Sequence, residues 1–564
     1  MTTLDLERTR LRTIGGEEFY SPAVNQVMLL TRTAESYQSL ADWLQRDGYF
    51  LVTLLANDER ELADNCFKLY TVFSHPALDL FVILMFPLGR GVTEFPALHT
   101  IFAAATPFER EIVEYFGLTP SIDQPLDNYQ HVSYPTNLHP LRRTTSTADI
   151  AAALNNHQPP PFSADADIGP LPPGALEVPV GPVHAGVIEP GHFRFHVAGE
   201  AIEQLDLHLG YTHKGVERLF QINYTLHDGW KLAEHVVGDS AFAHSLAYCR
   251  AVESLAGATP PRPAELARML CLELERLYNH MGDCAALAHD VALELPASAM
   301  AAPREALLRL NECLAGHRFL RGINRPGGVI LPAPLNPADI RHRVGQAVER
   351  FLPPAHFLLT DPGFRDRLMN TGVLTRDRAK SLGAIGLAAR ASDLDRDFRQ
   401  LHPVGAESFP EISADLKTPL LEIDPYAVSE RTAGDAYARY AIRVAEVAGS
   451  TKLIEQVLSL WDNAWTEREY RADINLRRAP NFRFGLGDAE GWRGPVVYWL
   501  MKDKFERIYR CKVTDPSCLN WPALKAAIEP HISEDDKARP FETLLGDFPI
   551  VNKSFNLSYA GNDL

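Results

Sequence analysis

Several ionisable side chains near the middle of the chain could move protons. His213 and Glu217 are four residues apart, which would place them on one face of a helix, and Asp239 and His244 flank the start of a second helical pattern. Imidazole and carboxylate groups are common proton donors and acceptors in enzymes, and burial shifts their pKa values. Together with His184, upstream of them, these residues are candidates for an acid–base site or a proton path.

The same residues also have ordinary structural interpretations. His213 and Glu217 could belong to a surface ion-pair face, and His244 could be a core histidine whose ring nitrogens bond to neighbours. Asp239 and the adjacent Ser240 are expected to face a cavity, which does not make them catalytic. The sequence leaves both interpretations open.

Composition predicts a multidomain globular protein. The 564 residues can bury two or three cores, and the net charge of −17, with no basic stripe, makes nucleic acid and anionic lipid poor partner candidates. Seven cysteines, none spaced as Cys-x-x-Cys, argue against a disulfide framework and against a metal site in this chain. No signal-peptide pattern or bilayer-length apolar run occurs, so we expect any membrane association to depend on partners.

The elements that must position these side chains fall into two predicted domains. Residues 1–145 predict a small α/β domain, with an amphipathic helix at 36–46 and a second helix within ATPFEREIVEYFGL at 105–118. The Pro- and Ala-rich stretch 146–175 predicts an extended linker. Residues 176–564 form the second predicted domain, and the fold class is α+β.

The second domain is predicted to be mainly helical with peripheral β hairpins. One hairpin is expected over residues 192–206, and two strands around a polar turn are expected within 494–513. Helical patterns dominate 262–321 and 430–462, and a central helix is expected from about Ala241. This helix carries His244 and follows the irregular stretch with Asp239.

Several segments resemble one protein family. AFAHSLAYCRAVE (241–253), the opening loop GPVHAGVIEPGHFRF and the final DFPIVNKSFNLSYAGNDL resemble the large subunit of energy-converting nickel–iron (NiFe) hydrogenases of the formate hydrogenlyase type, group 4. That subunit is related to the quinone-site subunit of respiratory complex I. ATPFEREIVEYFGL and HPLRR (139–143) resemble the complex I accessory α/β subunit, which some members carry fused ahead of the large subunit. The resemblance thus implies an accessory-like domain at 1–145 and a large-subunit domain at 176–564.

The resemblance implies a nickel–iron site held by four cysteines, but none of the four is present. The corresponding positions are Val237, Ser240, Ser558 and Gly561, which provide no thiolate. We therefore expect no metal in this chain and no hydrogenase activity. If the hydrogenase-like fold is retained, Val237 and Ser240 should surround one small volume together with Ser558 and Gly561. The C-terminal tail should then be buried beside residues 234–244.

The usual quinone-binding pair is missing as well. In complex I, a tyrosine and a histidine bind the quinone headgroup, and by position these fall on Gly238 and Ile188, while His184 matches another histidine of the motif. The resemblance implies no cofactor in this chain, an iron–sulfur cluster in a partner small subunit, and quinone as a candidate ligand. It also implies antiporter-like membrane subunits as partners and a cytoplasmic position, peripheral on the inner face of the cell membrane.

Two functions follow as expectations. In the first, the chain is a subunit of a complex I-like membrane oxidoreductase, of NADH:quinone type, that transfers electrons and couples them to ion translocation without a NiFe site. In the alternative, it is a non-redox coupling subunit whose former active site is filled by side chains. An open cavity with convergent polar groups favours the first function, and a filled site favours the second.

Overall fold

The described residues of the computed structural model are 3–14, 17–20, 23–122, 135, 137–158, 174–184, 188–332, 334–413, 433–462, 465, 467–530 and 542–564. They form an α+β structure, as predicted. A smaller N-terminal unit packs on a larger, mainly helical unit, and their apolar cores are shared. The domain boundaries near residues 145 and 175 stay predictions.

The N-terminal unit is built on a five-stranded sheet with the strand order β1-β2-β5-β4-β3, in which β2 and β5 are parallel and the other neighbours antiparallel. Its elements are α1 (Thr3–Thr13), β1 (Glu17–Tyr20), β2 (Gln26–Leu30), α2 (Ala34–Arg46), β3 (Phe50–Asp58), β4 (Phe67–Ser74), β5 (Phe81–Pro87), β6 (Glu94–Phe95), a 3₁₀ turn (Ala103–Ala105), α3 (Thr106–Phe116) and β7 (Thr119–Pro120). Strands β3 and β4 are buried throughout. Both faces of the sheet are covered, which is why these strands are nearly continuous apolar runs.

Local signals set the ends of both helices predicted in this unit. Thr33 caps α2 through a capping box with Ser36, which satisfies two free backbone N–H groups. Helix α3 ends at Gly117, whose φ of +61° suits glycine and whose Cα lies against the side chains of His139 and Arg142. Both helix predictions are confirmed.

The first part of the predicted linker is helical, not extended. Helix α4 spans Thr147–Asn156, and Ser146 caps it by accepting a hydrogen bond from the backbone N–H of Asp149. The sequence ADIAAAL has high helix propensity, so the local capping box and the alanines outweigh the proline-rich composition that follows. Residues 159–173 of the predicted linker lie outside the described part.

The large unit begins with a three-stranded antiparallel sheet of β8 (Leu176–Val180), β9 (His192–Ala198) and β10 (Ala201–His208), which confirms the predicted hairpin. The helices are α5 (Val216–Asn223), α6 (Trp230–Ala233), α7 (Ala241–Ala256), α8 (Arg262–Asp290), α9 (Glu294–Ala315), α10 (Pro337–Thr360), α11 (Pro362–Leu368), α12 (Arg376–Leu382), α13 (Gly386–Ala391), α14 (Phe398–Leu401), α15 (Ala436–Ser459), α16 (Pro516–Ile528), α17 (Phe548–Phe555) and α18 (Tyr559–Asn562). Short β11 (Asn324–Arg325) and β12 (Gly328–Val329) pair, and 3₁₀ turns occur at Gly405–Ser408, Glu467–Tyr470 and Leu545–Asp547.

A second three-stranded sheet joins the two units. It consists of β13 (Phe484–Glu490), β14 (Pro495–Lys502) and β15 (Ile508–Thr514), and β14 and β15 are the two strands predicted around a polar turn. One face packs on α7, and the other meets the N-terminal sheet, where the rings of Tyr70 and Trp499 are 5.0 Å apart. This sheet therefore carries side chains from the N-terminal unit to the centre of the large one.

Candidate functional site

Helix α7 begins at Ala241, as predicted, and a distant carboxyl group holds its first turn. Ser240 is the N-cap residue but makes no side-chain capping bond. Instead, Glu275 on α8 accepts hydrogen bonds from the backbone N–H groups of Phe242 (2.8 Å) and Ala243 (3.0 Å). Burial raises the pKa of Glu275 to about 8, although these two hydrogen bonds oppose the shift.

Asp239 forms a bidentate ion pair with Arg493. The two guanidinium nitrogens lie 2.6 and 2.8 Å from the carboxylate oxygens, and one of them lies 3.3 Å from the Ser240 Oγ. The side chain of Asp239 is 41% exposed, whereas that of Arg493 is 5% exposed. The carboxylate of Asp239 therefore faces a cavity or solvent, and the Arg493 guanidinium lies on its buried side.

The C-terminal tail is buried, as predicted. Ser558 Oγ accepts a hydrogen bond from the Gly561 N–H at 2.9 Å, and Ser558 N–H donates to the Ser517 Oγ at 2.9 Å. Asp563 and Leu564 are 1% and 4% exposed. The tail is therefore held against α16, which carries Ser517.

Two side chains connect this tail to the stretch before α7. Arg493 pairs with Asp239 and also donates from Nε to the backbone carbonyl of Asn556. Asp515 hydrogen-bonds His244 on α7, and it packs so closely on Gly561 that an added Cβ there would lie 2.5 Å from its carboxyl group. The two segments that carry Ser240 and Ser558 thus border the same buried Arg493 and Asp515.

His244 is a fully buried histidine with both ring nitrogens in hydrogen bonds. Nδ1 lies 3.0 Å from the Tyr498 hydroxyl, and Nε2 lies 3.1 Å from an Asp515 carboxylate oxygen. Burial alone would raise the pKa of Asp515, but His244 and Arg493 outweigh it and lower the pKa. The geometry is that of a satisfied core histidine, which also links a buried tyrosine to a buried carboxylate.

The predicted helical pair of His213 and Glu217 does not exist as such. His213 precedes α5, because Gly215 takes a left-handed conformation with φ of +63° and starts the helix after it. The surface ion-pair interpretation is wrong for Glu217, which is 2% exposed. His213 Nδ1 instead lies 3.2 Å from the Asp563 carbonyl oxygen, and burial lowers its pKa.

Glu217 belongs to a buried group that we call the interdomain ion cluster, consisting of Glu111, Glu217, Arg510 and Lys512. Lys512 contacts Glu111 of α3 and lies 3.1 Å from Glu217, which also pairs with Arg510. Burial would raise the pKa of Glu217, but the two cations outweigh it and lower the pKa. The cluster places Glu111, from the segment ATPFEREIVEYFGL, directly against β15 of the large unit.

The opening loop lies against the tail. His184 Nε2 is 2.7 Å from the Gly191 carbonyl oxygen, and Gly191 packs on the ring of Tyr559. Glu189 accepts a hydrogen bond from the Ala560 N–H at 3.0 Å. The structure therefore brings His184 to the tail, while residues 185–187 lie outside the described part. Ile188, at the position of the usual quinone histidine, is 43% exposed.

A cavity of about 530 Å³ borders the end of the tail at Leu564. His213, Glu217 and Leu564 line it, together with residues of 138–154 from the end of the N-terminal unit and α4. His213 and Glu217 are thus brought together at this cavity. His244 is held between Tyr498 and Asp515 and does not line this cavity.

Sequence reasoning missed Arg493, Arg510 and Lys512. The two residues of β15 could have been noticed, because a strand with buried faces that still carries Arg and Lys needs buried carboxylates as partners. Arg493 lies in the turn GWRGP, and no local signal marks it. Its partner Asp239 is 254 residues away in the chain.

Within the described ranges, no three His, Cys, Asp or Glu side chains are grouped so as to hold a metal ion. Cys518, which follows Asp-Pro-Ser, is buried, and burial raises its pKa to about 12, so the thiol stays protonated. No helix in the described part is long and apolar enough to cross a membrane.

Comparison with known proteins identifies two families along the chain. The family "Respiratory-chain NADH dehydrogenase, 30 Kd subunit" matches residues 30–150, and "Respiratory-chain NADH dehydrogenase, 49 Kd subunit" matches residues 290–481. Formate hydrogenlyase subunit 5 of Escherichia coli K12 is 27% identical over 489 residues, covering 85% of this chain and 81% of that protein. An NADH-quinone oxidoreductase subunit from Dehalococcoides mccartyi is 28% identical over 362 residues, covering 61% of this chain and 90% of that protein.

A solved structure shares the fold. It is described as the membrane-bound sulfane sulfur reductase, an archaeal respiratory membrane complex, and it covers 70% of this chain with a TM-score of 0.59 at 21% identity. The relatives found by sequence include subunits of hydrogenases and of NADH-quinone oxidoreductases, and each aligns over most of its own length. In this chain a domain that matches the 30 kDa family of respiratory NADH dehydrogenase is therefore fused ahead of one that matches the 49 kDa family, and its homologues include formate hydrogenlyase subunit 5 and NADH-quinone oxidoreductase subunits.

Proposed function

We propose that this chain is a subunit of a complex I-like, hydrogenase-related membrane oxidoreductase that transfers electrons without reacting with H₂ at a NiFe site. The observation that carries the proposal is that the four aligned positions, Val237, Ser240, Ser558 and Gly561, provide no thiolate to retain a nickel–iron pair.

The residues at the four aligned positions do not fit a nickel–iron pair. Val237 and Gly561 have no donor atom, and Ser558 Oγ already accepts the Gly561 N–H. Ser240 Oγ lies within reach of Arg493. A neutral hydroxyl is a hard and weak ligand for metals that thiolates retain, so no step of the proposed function passes through such a site.

The proposed electron-transfer role requires partner subunits. Homologues come from membrane complexes, among them the membrane-bound hydrogenase subunit alpha of Pyrococcus furiosus. By that analogy the chain binds an iron–sulfur small subunit and antiporter-like membrane subunits, on the cytoplasmic face of the membrane. A quinone acceptor would need groups other than the usual pair, because Gly238 and Ile188 stand at those positions.

A second candidate, a non-redox coupling subunit, is favoured by Arg493, which bridges Asp239 and the backbone carbonyl of Asn556 between the segments that carry Ser240 and Ser558. Arg493 stacks on Trp492 with its guanidinium carbon 3.8 Å from the ring centroid, and Trp492 in turn donates to the Asp239 carbonyl. Side chains therefore hold the two segments together at this point, as a structural role requires. In this candidate the chain transmits conformational change while electrons move elsewhere.

The test is to purify the native complex, measure nickel per chain, and assay H₂ evolution and the reduction of quinone analogues. The proposal expects no stoichiometric nickel and no hydrogen chemistry, and about one nickel per chain would overturn it.

Asp239→Asn separates the two candidates, with the exposed Asp377→Asn on α12 as a matched control. A redox role predicts that Asp239→Asn changes the rate or pH profile of quinone reduction in a fully assembled complex. A coupling role predicts normal electron transfer with altered ion translocation or assembly.

A further inference from the structure

The 530 Å³ cavity beside the C-terminal tail has apolar walls from two helices. Ile150 and Leu154 of α4 are one turn apart and face Leu219 and Ile222 of α5 across it. Leu154 and Ile222 are 51% and 43% exposed, although both are large hydrophobic residues. No residue of α4 with a described side chain is buried, so its apolar residues border this cavity and stay accessible.

Two cations at the cavity make no close ion pair with a carboxylate of the described residues. Arg218 donates to the backbone carbonyl of Thr145, and its Nε is buried without a hydrogen bond. Lys214 donates to the carbonyls of His235 and Val236. The nearby Arg143 adds a third positive charge that repels Arg218 and lowers its pKa, after the larger effect of burial.

Among the carboxylates near the cavity, Glu217 is neutralised by its partners, whereas Asp563 and Glu189 keep negative charges that act on Lys214. Glu217 is paired with Arg510 and Lys512, and Asp563 Oδ2 accepts hydrogen bonds from Thr212. Arg218 is therefore the cation at the rim whose charge none of these carboxylates offsets. An unmatched cation beside an apolar slot has the polarity of an amphiphile site with an acidic head.

We propose that this cavity binds an acidic amphiphile, with its carboxylate or phosphate head at Arg218 and Lys214 and its hydrocarbon chain between α4 and α5. The volume lies within the range of small-molecule sites, which is about 300–1,000 Å³. A cavity of this volume suits one hydrocarbon chain as its occupant better than the flat surface of a partner protein. The proposal goes beyond the redox role and does not depend on it.

The experiment uses the full chain and titrates it with dodecanoate, dodecyl phosphate and dodecyltrimethylammonium by calorimetry. The acidic probes should bind saturably, and the cationic probe should bind at least about tenfold more weakly, as expected when a charge-assisted hydrogen bond is lost. Equal binding of acidic and cationic probes, or no saturable binding, would overturn the proposal.

Two variants locate the site. Arg218→Gln should weaken dodecanoate binding about tenfold, and Leu154→Asp should weaken it through the apolar wall. Their matched controls are Arg341→Gln and Leu295→Asp, which alter exposed residues away from the cavity and should leave binding unchanged. If the controls and the cavity variants behave alike, the site is elsewhere and the proposal fails.

Vesicles distinguish the two sources of such a ligand. Co-sedimentation with phosphatidylglycerol vesicles, lost in Arg218→Gln, would assign the head to a membrane lipid. Binding of free dodecanoate without vesicle binding would assign it to a fatty acid. A structure of the native complex with a partner protein segment filling the slot would refute the amphiphile.

Discussion

Replacing Glu275 with glutamine should remove a large pH dependence from the stability of the protein. Glu275 is buried on α8, and its carboxyl group holds the first turn of α7 through the N–H groups of Phe242 and Ala243. Glutamine keeps an acceptor oxygen at nearly the same volume but cannot ionise. The substitution therefore separates the effect of charge from the effect of packing.

The magnitude follows from the pKa, which burial raises from 4.5 to about 8. In the unfolded chain Glu275 ionises near pH 4.5, so between pH 4.5 and 8 folding takes up a proton. The stability that this group contributes is complete below pH 4.5 and falls as the pH rises to 8. At about 1.4 kcal/mol for each pKa unit, the loss is about 4–5 kcal/mol.

The assay is urea unfolding between pH 5 and 9, followed by circular dichroism, for the wild type, Glu275→Gln and the control Glu312→Gln on an exposed part of α9. The free energy of unfolding of Glu275→Gln should rise relative to the wild type by about 4 kcal/mol across this range. Glu312→Gln should follow the wild type. Parallel pH profiles for the wild type and Glu275→Gln would refute the idea that a neutral Glu275 caps α7.

Two further substitutions test how the units and the tail are held. Lys512→Met should lower the free energy of unfolding by about 3–5 kcal/mol, because it leaves the carboxylates of the interdomain ion cluster with one cation. The control Lys525→Met, at a partly exposed residue, should lower it far less. Equal urea midpoints for the two variants would contradict this. Gly561→Ala should destabilise the tail by about 1–3 kcal/mol, because its Cβ would overlap the buried Asp515, whereas Gly546→Ala meets no atom. Limited proteolysis of the C-terminus measures the second effect, and equal protection in both glycine variants would count against the close packing.

Much of the fold could be predicted from local patterns. The start of α7 at Ala241, the β9–β10 hairpin and the strands β14 and β15 all follow from hydrophobic periodicity and turn residues. The burial of the tail followed from a resemblance and not from any local signal. The helix α4 differs from the predicted extended linker, because the proline-rich composition that predicts the linker begins only after it. The capping box at the start of α4 favours a helix locally.

Hydrophobic periodicity and turn residues specify most of the elements and the α+β class, and the residue types show that the four aligned positions carry no thiol. The tertiary structure alone decided which charges meet: Asp239 with Arg493 across 254 residues, and Glu111 with Lys512 across 401. Periodicity reports only that one side of an element is buried, not which distant group lies opposite. A buried ion pair is set by the packing of whole sheets and helices, so its partners become known only when those elements are in place.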